Sequence, residues 1–160
     1  MINKKNIKLE LTPPEKKRLR AMKTAIKDIQ FLSQDELCLL LDVPTIRAKE
    51  LLAYVEFQQV QSVGIRFAED LISMGYYSLN ELKGKDGAKL TEDFELLKGY
   101  WIDPCVEDQF RLVVDYANNG DRNKNWWNFT SERKKYRSEN CYPSDRPKKA
   151  WFEAAGLTKP

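Results

Sequence analysis

Helix-start signals recur along this chain at intervals that leave little room for any other structure. Thr12-Pro13-Pro14-Glu15 places a capping hydroxyl, a proline at the first helical position and a glutamate that closes a capping box. Ser33-Gln34-Asp35-Glu36 and Ser78-Leu79-Asn80-Glu81 repeat the box, and Asp103-Pro104 is a further cap followed by proline. The most strand-like stretch, Val60–Val63, is too short to build a sheet. The expected fold class is therefore all-α.

Apolar spacing fills in the helices. After Thr12 a helix is expected to run to Ile29, with Leu19, Met22, Ile26 and Ile29 on its inner face and lysine and arginine opposite. A short helix follows Ser33 and ends near Leu41. A third starts at Pro44 or Thr45, with Ile46, Leu51 and Val55 facing inward. The next, from Ile65, stops at Gly75, a left-handed C-cap. Lys83–Lys89 reads as a polar loop and Thr91–Lys98 as helix. Asp103-Pro104 opens a helix whose inward face is Val106, Phe110, Val113, Val114 and Ala117, closed at Gly120. Trp126–Asn140 is one more helix, and the tail with Pro143, Pro147 and Pro160 is expected to resist regular structure.

Charge divides the chain into thirds. Residues 1–30 sum to +6, residues 31–120 to −8 and residues 121–160 to +5, a net +3 over 160 residues. We expect a basic N-terminal helix or arm (1–30), a compact core domain (31–120) and a basic, aromatic C-terminal extension packing on that core (121–160). A polyanion would be drawn to the ends and repelled by much of the middle. No apolar run approaches the roughly 18 residues of a membrane span, and the basic start lacks a signal peptide's apolar stretch, so a cytoplasmic location is expected. Cys38, Cys105 and Cys141 are scattered, and histidine is absent. Neither a metal site nor any other cofactor is indicated.

The segment with a mechanism is Phe57 to Leu71. A helix ends, the chain turns through Ser62-Val63-Gly64, and a new helix opens at Ile65-Arg66. The free N–H groups at such a start, with the helix dipole behind them, attract an anion, and Arg66 adds a cation. This stretch resembles the helix-hairpin-helix motif, usually apolar-x-Gly-apolar-Gly followed by a basic helix. Here the first glycine is Ser62, and Glu69-Asp70 lie in the new helix. A fainter copy, Leu39 to Leu52, supplies Arg47 and Lys49 just inside its helix. One or two such units are expected, the second at about 57–75.

The likeness extends further. Val60–Gly84 followed by Gly99–Ala117, with Asp103-Pro104-Cys105-Val106 and Phe110-Arg111, is similar to the pathogenicity-locus family over roughly residues 30–120. Those are small bacterial proteins with helix-hairpin-helix cores, some labelled as mitomycin-resistance related. The resemblance implies a fold and a class of binding, not a reaction. Its expected consequence is sequence-independent contact with the phosphates of duplex DNA through Ser62, Val63, Gly64, Ile65 and Arg66, helped by Arg47 and Lys49. The alternative is a protein–protein interaction module using the same hairpin, at Val63 and Ile65, or the acidic middle.

Other groups carry weaker signals. Cys105 sits in the first turn of a helix, where the dipole favours a thiolate. It is weighed as a reactive thiol against a small buried residue beside Trp101, and with no histidine as base the second is preferred. Trp126, Trp127 and Phe129 are expected to pack on the core. Arg133, Lys134, Lys135 and Arg137 are expected to remain a solvated cationic face. Glu69-Asp70, Glu92-Asp93 and Glu107-Asp108 are neighbours on helices and so do not share a face. No phosphate loop or nucleophile elbow is present, and neither an enzyme nor a small-molecule substrate is indicated.

Overall fold

The computed structural model describes residues 6–160; residues 1–5 of the expected basic arm lie outside the described residues. Among these residues every regular element is helical, and the one β contact is an isolated parallel bridge between Trp101 and Ala150. The all-α class holds. Contacts divide the chain into two compact units, Met1–Glu81 and Leu82–Pro160, a boundary inside the 31–120 stretch expected as one core. Among the described residues no helix is long and apolar enough to cross a membrane.

The first unit contains α1 (Pro13–Ala21), α2 (Gln34–Leu41), α3 (Thr45–Phe57) and α4 (Ile65–Ser73). The capping boxes at Thr12 and Ser33 form as read from sequence: the Glu36 carboxylate accepts from the Ser33 N–H at 2.7 Å, and that of Glu15 accepts from Thr12 at 2.8 Å. α1 is shorter than expected. It stops at Ala21, where Lys23 turns left-handed (φ 52°). The Thr24 N–H then bonds back to the Leu19 carbonyl at 3.0 Å and the Lys23 N–H to Arg20 at 3.1 Å. This is a Schellman ending with lysine where glycine is usual, so the sequence gives no warning of it. A 3-10 turn, Ile26–Phe31, replaces the missing helix.

One core cluster of this unit is hydrocarbon, Leu11, Leu19, Ile29, Leu37, Leu41, Ala48, Leu51 and Val55; Val60, Val63, Phe67, Ala68 and Leu71 of α4 and the turn before it are buried as well. Ile46 does not belong to it; it is 54% exposed. The buried stripe of α3 passes through Ala48, Leu51 and Val55, and Ile46, two residues before Ala48, points about 200° away from it.

The second unit contains α5 (Gly87–Lys98), α6 (Pro104–Asn119), a 3-10 turn (Trp126–Phe129) running straight into α7 (Thr130–Glu139), and α8 (Trp151–Ala154). α5 starts four residues before the expected Thr91, because the Asp86 carboxylate accepts from the Ala88 N–H at 2.8 Å and caps it. Gly87, read as a loop residue, is the first residue of that helix. A Cβ there would lie 2.8 Å from the Arg111 Cα and 2.9 Å from its nitrogen. The glycine lets α5 and α6 approach to backbone contact.

α6 buries Phe110, Val113, Val114 and Ala117 as expected, with Val106 half-buried. It also buries Glu107, Asp108 and Arg111, which no apolar pattern announces. The proline-bearing tail carries no long regular element, only the four-residue α8 and the bridge at Ala150. The Trp101 N–H donates to the Lys149 carbonyl and the Trp151 N–H to the Trp101 carbonyl, both at 2.8 Å.

Candidate nucleic-acid interface

The turn between α3 and α4 is built from the inside. Val60 and Val63 are fully buried, and the Val63 N–H donates to the Val60 carbonyl at 3.2 Å. Gln58, at the end of α3, is buried as well. Its amide donates to the Lys8 carbonyl at 2.7 Å and to Tyr54 at 3.0 Å, while its oxygen accepts from the Lys8 N–H at 3.1 Å. The turn is therefore anchored at both ends.

Two residues carry its backbone geometry, and their roles are the reverse of what their identities suggest. Ser62 has φ 60°, the left-handed conformation in which glycine is at ease. Gly64 has φ −101° and ψ 179°, ordinary extended backbone. Nothing lies within 4 Å of where a Gly64 Cβ would stand. Neither conformation nor packing demands glycine at position 64.

α4 begins there without a side-chain cap, unlike α1, α2, α5 and α6. The first N–H groups of an α-helix in general find no acceptor within the helix itself. Ile65 is half-buried, and the Arg66 side chain is 87% exposed, with Glu69 3.7 Å away across one turn. A pair this exposed holds its cation weakly. Ser62, Val63, Gly64, Ile65 and Arg66 thus form one continuous corner, of which Gly64 and Arg66 are the outward parts. Val63 offers no apolar tip to a partner, contrary to the docking role weighed for it.

The other expected contacts do not join this corner. Arg47 is turned to its own unit: its Nε and Nη2 donate to the Glu15 carboxylate at 2.9 and 3.0 Å, and Nη2 also donates to the Glu10 carbonyl at 2.8 Å. These hydrogen bonds hold the Glu15 carboxyl below the usual carboxylate range against the opposing effect of burial, and they raise the Arg47 guanidinium. Lys49 is exposed, with its ammonium 4.2 Å from the centroid of the Tyr77 ring.

Cys105 departs from both readings weighed for it. The residue is exposed, not buried. Its thiol is nonetheless pushed up, first by local desolvation, then by its hydrogen bond to Asp103 and the charges of Asp103 and Asp108. Among the described residues no group of three or more His, Cys, Asp or Glu side chains is placed to hold a metal ion.

The C-terminal cations also differ from expectation. Arg133 and Arg137 are inside the second unit. Arg133 Nε donates to Asp108 at 2.7 Å, and the Thr130 hydroxyl donates to the same carboxylate at 2.8 Å. Arg137 bonds Glu107 at 3.2 Å and Glu92 at 2.9 Å, and Arg111 bonds Glu107 at 3.0 Å. The Tyr142 ring lies between Arg137 and Arg146, with guanidinium carbons 4.0 and 3.5 Å from its centroid. Arg111 Nε is buried without a hydrogen-bond partner. The available signal was a matched spacing: Glu107 and Arg111 four apart on α6, Arg133 and Arg137 four apart on α7. Of Trp126, Trp127 and Phe129, all expected on the core, only Phe129 is buried; Trp126 is half-buried and Trp127 is 54% exposed.

No curated protein and no solved structure matches the chain. The family model Cdd1, described as Pathogenicity locus, matches residues 51–135. That span includes the α3–α4 corner, α5 and α6, and its 85 residues are more than half of the 160. The chain belongs to the pathogenicity-locus family.

Proposed function

We propose that the protein is a non-enzymatic, sequence-independent DNA-binding accessory protein of the helix-hairpin-helix class, acting in a bacterial cytoplasm. The α3–α4 corner contacts backbone phosphates: a phosphate oxygen approaches the uncapped start of α4 over Gly64, and Arg66 adds the charge. The observation that supports this most is the glycine at position 64. The fold leaves room for a side chain there and the backbone would accept one. Serine or aspartate would serve as N-cap at least as well. A bare backbone is useful when something outside the chain must come close.

Arg47 is engaged with Glu15 and is no longer a free phosphate ligand, so the first, glycine-free unit contributes little. Few phosphates are therefore neutralised, and the affinity is modest.

Fluorescence polarisation with a labelled duplex at 50 and 200 mM salt tests the proposal. Two or three phosphate contacts correspond to a roughly 10- to 40-fold loss over that range. Arg66→Ala reduces the salt slope by about one, and Gly64→Ala weakens binding without loss of stability. Absence of binding at the lower salt, or affinity indifferent to salt, ends the proposal. A protein partner is the second reading. It is favoured by Leu39, 82% exposed on α2 between the acidic Glu36 and Asp42. Capture of a protein by the wild type, lost in Leu39→Asp and resistant to nuclease, would select it.

A further inference from the structure

The segment around Trp127 has a surface that the hairpin does not explain. Its indole is 54% exposed, although large aromatics are rarely left in water without cause. It is held from one side by Trp126, in edge-to-face contact at 5.5 Å and 84°. The 3-10 turn that carries it continues without a break into α7.

Trp127 lies in the 3-10 turn, which advances about 120° per residue, and α7 continues at about 100° per residue. Lys134 therefore comes back to roughly the side of Trp127, and Lys135 is next to it around the helix; both are exposed. The opposite side of α7, with Arg133 and Arg137, faces the buried carboxylates and is fully used. Lys134 and Lys135 form no ion pair among the described residues, and neither does the exposed Arg122 in the loop before Trp127. The acidic groups nearest along the chain are directed elsewhere: Asp115 and Asp121 toward Lys124, Glu132 toward Arg111. Glu139 stands one turn beyond Lys135 on α7 but forms no ion pair with it among the described residues.

We propose that Trp127, Lys134 and Lys135 form a binding surface for single-stranded nucleic acid, separate from the α3–α4 corner. An unpaired base stacks on the indole, and the flanking phosphates lie over the two ammonium groups, about 12–13 Å further along the helix axis. The charge selects a polyanion. The ring selects one with unstacked bases, because bases inside a duplex have no free face to offer it. No sequence preference is expected, since every base has a face that stacks. This surface stands whether or not the hairpin binds duplex DNA.

The test uses the full chain and two fluorescent probes, a 12-nucleotide oligo(dT) and a blunt duplex of equal length, at low salt. Trp127→Ala lowers affinity for oligo(dT) about tenfold, the loss of one stacked base, and leaves duplex affinity within twofold. Trp127→Phe retains most of the binding. Lys134→Glu together with Lys135→Glu weakens oligo(dT) binding and flattens its salt dependence. Because Trp127 is half in solvent, the thermal melting curve of Trp127→Ala stays close to that of the wild type. Failure of the wild type to bind oligo(dT) overturns the proposal. So does an unchanged affinity in Trp127→Ala, or an equal loss for oligo(dT) and duplex. Loss of duplex binding in Gly64→Ala alone bears on the hairpin and leaves this surface untouched.

Discussion

The two units of this chain solve the burial problem by different chemistry. The first packs Leu19, Leu37, Leu41, Leu51 and Val55 of α1, α2 and α3 around one another, and its most buried ion pair, Glu15 with Arg47, links the start of α1 to α3. The second joins α6 to α7 largely through charge. Glu107 and Asp108 are almost fully buried, and three arginines converge on them. An apolar contact depends on area removed from water. A buried ionic contact depends on completeness: each group is tolerable only while its partners are present. The difference shows why counting cations along a sequence misleads. Arg47, Arg133 and Arg137 look like ligands for a polyanion, and all three are held by carboxylates of their own unit.

The steepest way to break this comparison is to remove one internal group from each unit. Asp108→Ala leaves Arg133 buried and unpaired, and urea denaturation is expected to show a loss of about 3–5 kcal/mol. Leu37→Ala should cost a similar amount, about 2–5 kcal/mol, but by leaving a cavity. Adding back Arg133→Met to Asp108→Ala recovers much of the first loss, since an uncompensated charge is what destabilises. No such rescue exists for the cavity. A loss under 1 kcal/mol for Asp108→Ala would mean that water already reaches the pair.

The approach of α5 to α6 gives the next effect. Gly87→Ala puts a methyl group against the Arg111 backbone, which cannot swing aside. About 1–3 kcal/mol is expected from the forced separation, read as a lowered denaturation midpoint. Ser62→Val follows, at about 1–2 kcal/mol, because a β-branched residue is poorly suited to φ 60°.

The first unit's ion pair sharpens the comparison through pH. Glu15 has a lowered folded-state value, owing first to its hydrogen bonds from Arg47. Its contribution is therefore complete above the unfolded value, about 4.3, and is lost as pH falls through the lower folded value. Glu15→Gln should cost about 1–2 kcal/mol at pH 7. The gap to wild type should narrow as pH falls from 4.5 to 3; a gap constant down to pH 3 would contradict the pairing. Gly64→Ala is the smallest change, within about 0.5 kcal/mol, since the fold makes no use of that glycine. A larger loss would remove the reason to assign position 64 to a ligand.

Much of the architecture was legible from local chemistry. Capping boxes and Asp-Pro starts fixed where helices begin, because a cap is settled within four residues. Gly75, Gly99 and Gly120 marked endings for the same reason, all three with positive φ. What escaped was non-local or masked by residue type. Lys23 ends α1 in a conformation for which lysine gives no cue. The glycine at 87 serves a helix that reaches it from 24 positions away, at Arg111. Of the candidate site, the continuous corner Ser62–Arg66 was readable, while the fate of Arg47 depended on a carboxylate 32 residues earlier. The exposure of Trp127 could not be inferred, because the same aromatic string fits a buried or a solvated position.

The tail closes on the loop before α6 through Trp101 and Ala150, and Arg146 reaches Glu95 at 2.7 Å. These contacts span about fifty residues, and that has a consequence during synthesis. The apolar cluster shared by α1, α2 and α3 uses nothing beyond Val55. The second unit cannot close until residue 151 has emerged, about 70 residues after position 81, or roughly 4–14 s at ordinary translation speeds. Over that interval the carboxylates of α5 and α6 wait in water for their arginines. A nascent chain stalled between these points would carry the apolar cluster of α1, α2 and α3 beside a second unit whose buried carboxylates still face water. The ionic network of the second unit is thus completed last.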